Sequence, residues 1–213
     1  YGFVLTFLDL IEKENPTHIA VVFDTDDATT DRAQEYEFYK ANRQAMPEDI
    51  ANSIPVIKEI VKGFDLPCLE LAGYEADDIV GTIAKQKAQE GYEVFMVTPD
   101  KDYGQLVEEN IYMYKPGRQG SGPEVLGVKE VNEKWGIENP LQVIDMLGLM
   151  GDSVDNIPGI PGIGEKTAQK LIAQFGSLEG VLEGADQLKG KMKERVEDPE
   201  NQKMALISKE LAT

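Results

Sequence analysis

The sequence of 213 residues contains one cysteine, Cys68, and one histidine, His18. A single cysteine excludes an intrachain disulfide and a cysteine zinc site, and a single histidine excludes a histidine-rich metal centre. Any metal held by these side chains takes oxygen ligands, which favours magnesium, manganese or calcium. Long apolar runs are missing too. Stretches such as Ile19–Phe23 and Val94–Val97 fall far short of the roughly 20 residues a membrane-crossing helix needs, so no membrane partner is expected. Positive charge is scarce: 21 Lys and Arg stand against 39 Asp and Glu, a net charge of −18. Taken alone, that balance argues against a nucleic-acid partner, because phosphate binding needs cations. The deficit is uneven, however. Residues 1–159 carry 13 basic and 30 acidic side chains, and residues 160–213 carry 8 and 9.

The composition that remains is 41% hydrophobic and 28% charged, ordinary for a globular protein and unlike a disordered, collagenous or coiled-coil chain. The length suits one domain or two small ones. Helical spacing over Phe3–Glu14 is followed by a β-branched run, His18–Phe23, that reads as a buried strand. A helix is expected from Pro47 to about Lys62, with Pro55 as a kink or boundary. A strand over Leu66–Leu71, a helix over Glu75–Glu90, a strand over Glu93–Thr98, a short helix and a strand over Ile111–Tyr114 follow. Such alternation implies a parallel α/β sheet. Gly117, Gly120, Gly122 and Pro123 mark a break, which divides the chain into an α/β domain, 1–123, and a helical region, 124–213. Helices are expected there over Val128–Trp135, Pro140–Met150, Glu165–Phe175, Leu178–Leu182 and from Lys189 onward. The chain opens and closes inside helical patterns, which suggests a piece of a longer protein.

Ligands of an open parallel sheet bind beyond the carboxyl ends of its strands. Acids gather at those ends: Asp24 after the first strand, Glu75, Asp77 and Asp78 after the second, Asp100 and Asp102 after the third. Asp152 and Asp155 end the apolar helix of the second region, spaced so that one helical face would present both. Any one of these is ordinarily a turn residue or a helix cap. Together, so many carboxylates repel unless cations neutralise them. Two magnesium ions suit that role and phosphoryl-transfer chemistry.

Two further segments point to phosphate. In Tyr36–Arg43, Tyr39, Lys40 and Arg43 fall within a single helical turn, a mixture of cations and aromatics suited to a backbone phosphate and a stacked base. In Ile157–Ala168, Gly159, Gly162 and Gly164 let the backbone approach a ligand closely, and a helix then starts with its amides free. Lys166 and Lys170 flank that start. The spacing is that of a helix-hairpin-helix, which grips a DNA backbone without reading bases.

In this order, Tyr39-Lys40-Ala41-Asn42-Arg43, Gly73-Tyr74-Glu75-Ala76-Asp77-Asp78, Thr98-Pro99-Asp100-Lys101-Asp102 and Met150 to Gly159 resemble the 5′→3′ exonuclease domain of bacterial DNA polymerase I, a relative of the flap endonucleases. The likeness runs over nearly the whole chain. It implies a PIN-like (resolvase-like) α/β parallel-sheet domain with a helical arch at about 26–46, followed by an all-helical helix-hairpin-helix region. It implies that Asp24, Glu75, Asp77, Asp78 and Asp100 hold an inner magnesium or manganese ion, with Asp102, Asp152 and Asp155 nearer a second. Lys40 and Arg43 would steer the scissile phosphate, Arg32 would meet DNA beneath the arch, and Tyr39 would stack. Gly159, Gly162, Gly164, Lys166, Thr167 and Lys170 would hold the duplex, with potassium bound at the hairpin. The implied partners are flapped, branched or nicked double-stranded DNA and a polymerase region following Thr213. The implied setting is a monomeric, nucleoid-associated protein of the bacterial cytoplasm.

The chain also departs from that family. The family's opening strand, which ends in a metal-binding Asp, has no counterpart before the first helix. Asp31-Arg32-Ala33-Gln34 replaces a Phe-Arg-His-Glu-like run, and Asp26, Asp27 and Asp31 add negative charge to the arch. A metal-dependent 5′ nuclease is therefore the leading expectation, and a DNA-binding module with little catalysis is the rival. A phosphatase of the haloacid dehalogenase type is a third, on Val21-Val22-Phe23-Asp24-Thr25-Asp26, although Ala28 stands where its usual Thr or Val belongs.

Overall fold

The computed structural model describes residues 1–25, 30–117 and 122–213; the expectations placed on Asp26, Asp27, Ala28 and Gly120 lie outside the described residues. Helix α1 (Gly2–Glu14) stacks Phe3 on Phe7 at 5.7 Å, and Phe7 meets Phe64 edge-on. It ends where Asn15 enters the left-handed region at φ 44°. Strand β1 (Val21–Val22) pairs in parallel with β2 (Cys68–Leu69). Helix α2 (Asp31–Glu35) is capped by the Thr30 hydroxyl. Helix α3 (Glu48–Gly63) continues past Pro55, so the proline, read in the sequence as a kink or boundary, is not a boundary. The proline forfeits one backbone hydrogen bond, and the apolar face around buried Val61 continues on its far side.

Helix α4 (Ala76–Gln89) starts where the Glu75 amide donates to the Asp78 carboxylate at 3.0 Å. Strand β3 (Val94–Val97) pairs in parallel with β4 (Ile111–Lys115), and β4 pairs antiparallel with β5 (Glu124–Leu126). The parallel sheet is thus in two pieces among the described residues, β1-β2 and β3-β4-β5. Strand β5 falls in the stretch just past the glycine-rich break. It forms because Leu126, at 4% exposure, drops into the core opposite Met113.

The helical region is built around α6 (Gln142–Met150), with Val143, Met146, Leu147 and Leu149 all fully buried. Each such side chain contributes roughly 1.5–3 kcal/mol over its exposed state. Helix α6 packs against α7 (Glu165–Phe175), α8 (Leu178–Glu183), α10 (Pro199–Leu211) and the 3-10 helix Lys101–Leu106. Helices α5 (Val128–Trp135) and α9 (Gly190–Glu197) complete it. One core runs from Ala84, Met96 and Ile111 through Trp135 and Leu147 to Ile172, Val181 and Ala205, so α/β and helical regions share it. Asp145 is buried within this core but not orphaned. It accepts from the Leu178 amide at 3.0 Å and the Lys209 ammonium at 2.7 Å, tying α6 to α8 and α10. No helix among the described residues is long and apolar enough to cross a membrane.

Candidate active site

Hydrogen bonds fix several of the acids that follow the strands. The Asp24 carboxylate accepts from the Ala76 amide at 2.7 Å, so the end of β1 is tied to the start of α4. Asp100 caps the 3-10 helix by accepting from the Asp102 amide at 3.1 Å. Glu75 and Asp152 are buried at 3% and 6% exposure. The pair Asp152 and Asp155 departs from expectation. Helix α6 has already ended at Met150, and Gly151 takes φ 70° to turn the chain. The two acids stand on a tight loop closed by reciprocal backbone bonds between Asp152 and Ile157, 2.9 and 2.7 Å. They are held by a turn rather than by a helical face.

The basic segment is likewise not a helical turn. After α2 the chain passes through turns, and Lys40 sits at φ 55°, an uncommon conformation for a side-chain-bearing residue. It is fixed there by its own amide, which donates to the Asp155 carbonyl at 2.9 Å. Asn42 donates to the Ser153 carbonyl and Asn156 to the Phe38 carbonyl, so this segment lies directly on the acidic loop. Its cations land on the acids. Lys40 bonds Glu75 at 2.6 Å, Arg43 bonds Asp155 at 2.7 Å and Arg32 grips Asp78 with two bonds of 2.9 and 2.8 Å. Tyr39 is 6% exposed, its hydroxyl donating to Glu75 at 3.2 Å, so its ring is turned inward and not offered as a stacking platform. Lys101 holds Asp152 at 2.8 Å. That partner was legible only as the residue between two acids in Asp100-Lys101-Asp102.

Four of the eight acids therefore carry a cationic partner, and the others reveal the charge that is left over. Burial, then Glu75 and Asp78, pushes the Asp77 carboxyl up to about 6. Burial, then Asp100, pushes Asp102 up to about 7. Burial also works against the Asp78 carboxylate, but the Arg32 bonds win and hold it below the usual range. Burial opposes the charge of Lys101 as well, and the hydrogen bond that its ammonium donates to Asp152 overrides it and raises its pKa. Two carboxylate oxygens, Glu75 Oε1 and Asp102 Oδ1, are buried with no hydrogen-bond partner. Such orphaned oxygens are expensive unless something supplies positive charge to them. An all-oxygen set with unspent charge and orphaned lone pairs fits divalent cations with oxygen ligands. Among the described residues no three of the acids are gathered closely enough to hold a metal ion between them, and Lys40 and Lys101 are ion-paired to Glu75 and Asp152.

At the hairpin, Gly159 is internal. A Cβ there would lie 2.3 Å from the Gly151 nitrogen, and its amide donates to the Ser208 hydroxyl at 2.9 Å. Gly162, at φ 78°, is exposed, and its carbonyl accepts from Arg195 at 3.2 Å. Gly164 caps α7, leaving the first amides of that helix without intrahelical partners. Lys166 and Lys170 are exposed one turn apart on α7, and Thr167 is half-buried beside them.

The fold is that of the phage 5′-exonucleases. A structure described as divalent metal ions (zinc) bound to T5 5′-exonuclease superposes with a TM-score of 0.78 at 22% identity, covering 99% of this chain and 79% of that one. A T5 flap endonuclease in a pseudo-enzyme-product complex with DNA and metal ions gives 0.74 at 22% identity, covering 99% and 78%. The chain belongs to the 5′-3′ exonuclease family: residues 1–136 match its N-terminal resolvase-like domain and residues 138–213 its C-terminal SAM fold. It is 44% identical to DNA polymerase I of Bacillus subtilis over 214 residues, covering 100% of this chain and 24% of that protein. It is 41% identical to a 5′-3′ exonuclease of Aquifex aeolicus over 182 residues, covering 85% and 61%. The chain thus spans about a quarter of the length of the polymerase relatives it matches. This family membership sets aside the phosphatase expectation.

Proposed function

We propose that this chain is a divalent-metal-dependent 5′→3′ exonuclease and 5′-flap endonuclease, acting on flapped, branched or nicked DNA in primer removal and repair. The observation that carries the reading is the single acidic edge, where Glu75 Oε1 and Asp102 Oδ1 are buried without partners among neighbouring carboxylates. Asp24, Glu75, Asp77, Asp78 and Asp100 would hold one magnesium or manganese ion, and Asp102, Asp152 and Asp155 a second. Bound there, the ions would neutralise charge on the phosphodiester and make water a better nucleophile. Lys40 and Arg43 would exchange Glu75 and Asp155 for the scissile phosphate, orienting it and stabilising its developing charge. The hairpin Ile157–Gly164, with Lys166, Thr167 and Lys170, would hold the duplex through backbone amides and ammonium groups, with potassium at the turn. Products would carry 5′-phosphates. A polymerase region in the same polypeptide and a monomeric, nucleoid-associated state are part of the same reading.

A second reading, a DNA-binding module with little catalysis, is favoured by the cations standing among the acids. Cleavage of a labelled 5′-flap DNA in magnesium or manganese, and again in EDTA, separates the two. Metal-dependent cleavage that is lost in an Asp100→Asn, Asp102→Asn double variant is the expected result. Tight flap binding without cleavage would leave only the binding module.

A further inference from the structure

One cation among the acids has no part in the reading above. Lys101 opens the 3-10 helix that follows β3, between Asp100 and Asp102. Its ammonium reaches across to the loop after α6 and meets Asp152 Oδ2 at 2.8 Å. The other oxygen of that carboxylate, Oδ1, accepts from the Val154 amide at 2.7 Å, so both oxygens are taken. The Asp152 side chain is 5% exposed and that of Lys101 45%. The carboxylate is therefore shut off from water, and the lysine is the partner with access to it. Asp102 and Asp100, on its own segment, are the next acids that attract the ammonium. Asp102 carries one of the two orphaned oxygens, Oδ1. One ammonium thus serves three carboxylates, and the most buried of them holds it directly. A buried carboxylate stripped of its counter-charge is costly.

We infer that Lys101 is a built-in counter-ion for Asp152, which it must leave before a second divalent cation is held there, so that the lysine sets how tightly that cation binds. This rests on the nuclease reading, in which Asp102, Asp152 and Asp155 serve the second ion. Asp152 Oδ2 cannot keep an ammonium at 2.8 Å and serve a divalent cation as well, because two cations so close repel. Release of the lysine is inexpensive: nearly half of its side chain already meets solvent, so its charge returns to water and not to an apolar setting. The ion pair that speaks for a weakly catalytic module is, on this inference, a stand-in that keeps Asp152 neutralised in the metal-free chain.

The test uses the whole chain with Lys101→Met at pH 8 and reads metal binding, not cleavage. Manganese binding is followed by loss of the free ion's EPR signal, and far-UV circular dichroism shows that each variant folds. The weaker manganese site should tighten roughly tenfold in Lys101→Met. The gain should vanish when Asp152→Asn is added, and Lys101→Arg should bind as the wild type does. Lys129→Met, exposed on α5, should change nothing. In EDTA, Lys101→Met should melt about 2–4 °C below the wild type. Saturating magnesium should close that gap, whereas a lysine that only braced the loop would leave it open. Magnesium should also alter the emission of Trp135, the only tryptophan, in the wild type, because the ammonium 5.9 Å from its ring centre moves away. Lys101→Met should show no such change. Unchanged or weaker manganese affinity in Lys101→Met, a gain that survives Asp152→Asn, or equal emission changes in wild type and variant would each overturn the inference and leave the nuclease reading intact. If neither the wild type nor Lys101→Met binds manganese, both fall.

Discussion

Asp77 and Asp102 are the residues at which the site's chemistry and its stability are opposed. Their carboxyls stand near 6 and 7 in the folded chain, against 3.8 ordinarily. Between about pH 4 and 7 the folded state therefore holds protons that the unfolded chain has released, and stability falls as pH rises through that window. In EDTA, the thermal midpoint should be lower at pH 8 than at pH 5. Asp102→Asn should raise the pH 8 midpoint, by about 2–4 °C for each kcal/mol recovered, and flatten the pH dependence, while abolishing metal-dependent cleavage. Magnesium should stabilise the wild type more at pH 8 than at pH 5, because protons compete with it below about 7. Arg32 has the opposite sign. Its two bonds hold Asp78 ionised, so Arg32→Met should cost about 1.5–3 kcal/mol in urea unfolding at pH 8. The cost should shrink as Asp78 is protonated at acid pH. The resemblance implied a DNA contact for Arg32; its hold on Asp78 was not legible in the sequence. The two residues are 46 apart in the chain, and no local pattern joins them.

Among the elements, the hairpin shows that glycines in one motif do different work. At Gly159 the backbone passes so close to Gly151 that a methyl group cannot enter, and φ is 60°. Gly159→Ala should destabilise the chain by about 1–3 kcal/mol, read from denaturant midpoints. Nothing lies within 4 Å of a Cβ at Gly164, whose φ is −104°. Gly164→Ala should leave unfolding within about 0.5 kcal/mol of wild type, so any loss of DNA affinity would be a binding effect. The helices α5 and α7 were legible to the residue, because each has periodic apolar positions, a capping glycine before it and a glycine after it. Tyr39–Arg43 was not. Its composition suits a helix, but the bonds that bend it are to Ser153, Asp155 and Asn156, more than 100 residues away.

At the scale of the whole molecule, a single core crosses the boundary that composition draws near residue 123. Ala84 and Met96 on one side share it with Leu147, Ile172 and Val181 on the other. Trp135, at 6% exposure, sits near that junction. Thermal unfolding should therefore be one transition, with Trp135 fluorescence and far-UV circular dichroism coincident; two separated transitions would show that the regions fold independently. The glycine-rich stretch reads in the sequence as a break between two regions. It could not reveal that β5 returns to pair with β4, since three residues carry little periodicity of their own.

The sequence by itself determined most of the longer helices, the order of the acids along the chain, the oxygen-only character of any metal site and the family. These depend on residue type and short-range spacing. Only the tertiary structure decided which cation meets which acid: Lys40 on Glu75, Arg43 on Asp155, Arg32 on Asp78 and Lys101 on Asp152. It alone turned Tyr39 inward and put Asp152 and Asp155 on a loop. Electrostatic partners are chosen by distance through space, and distance is set by packing that local pattern does not encode.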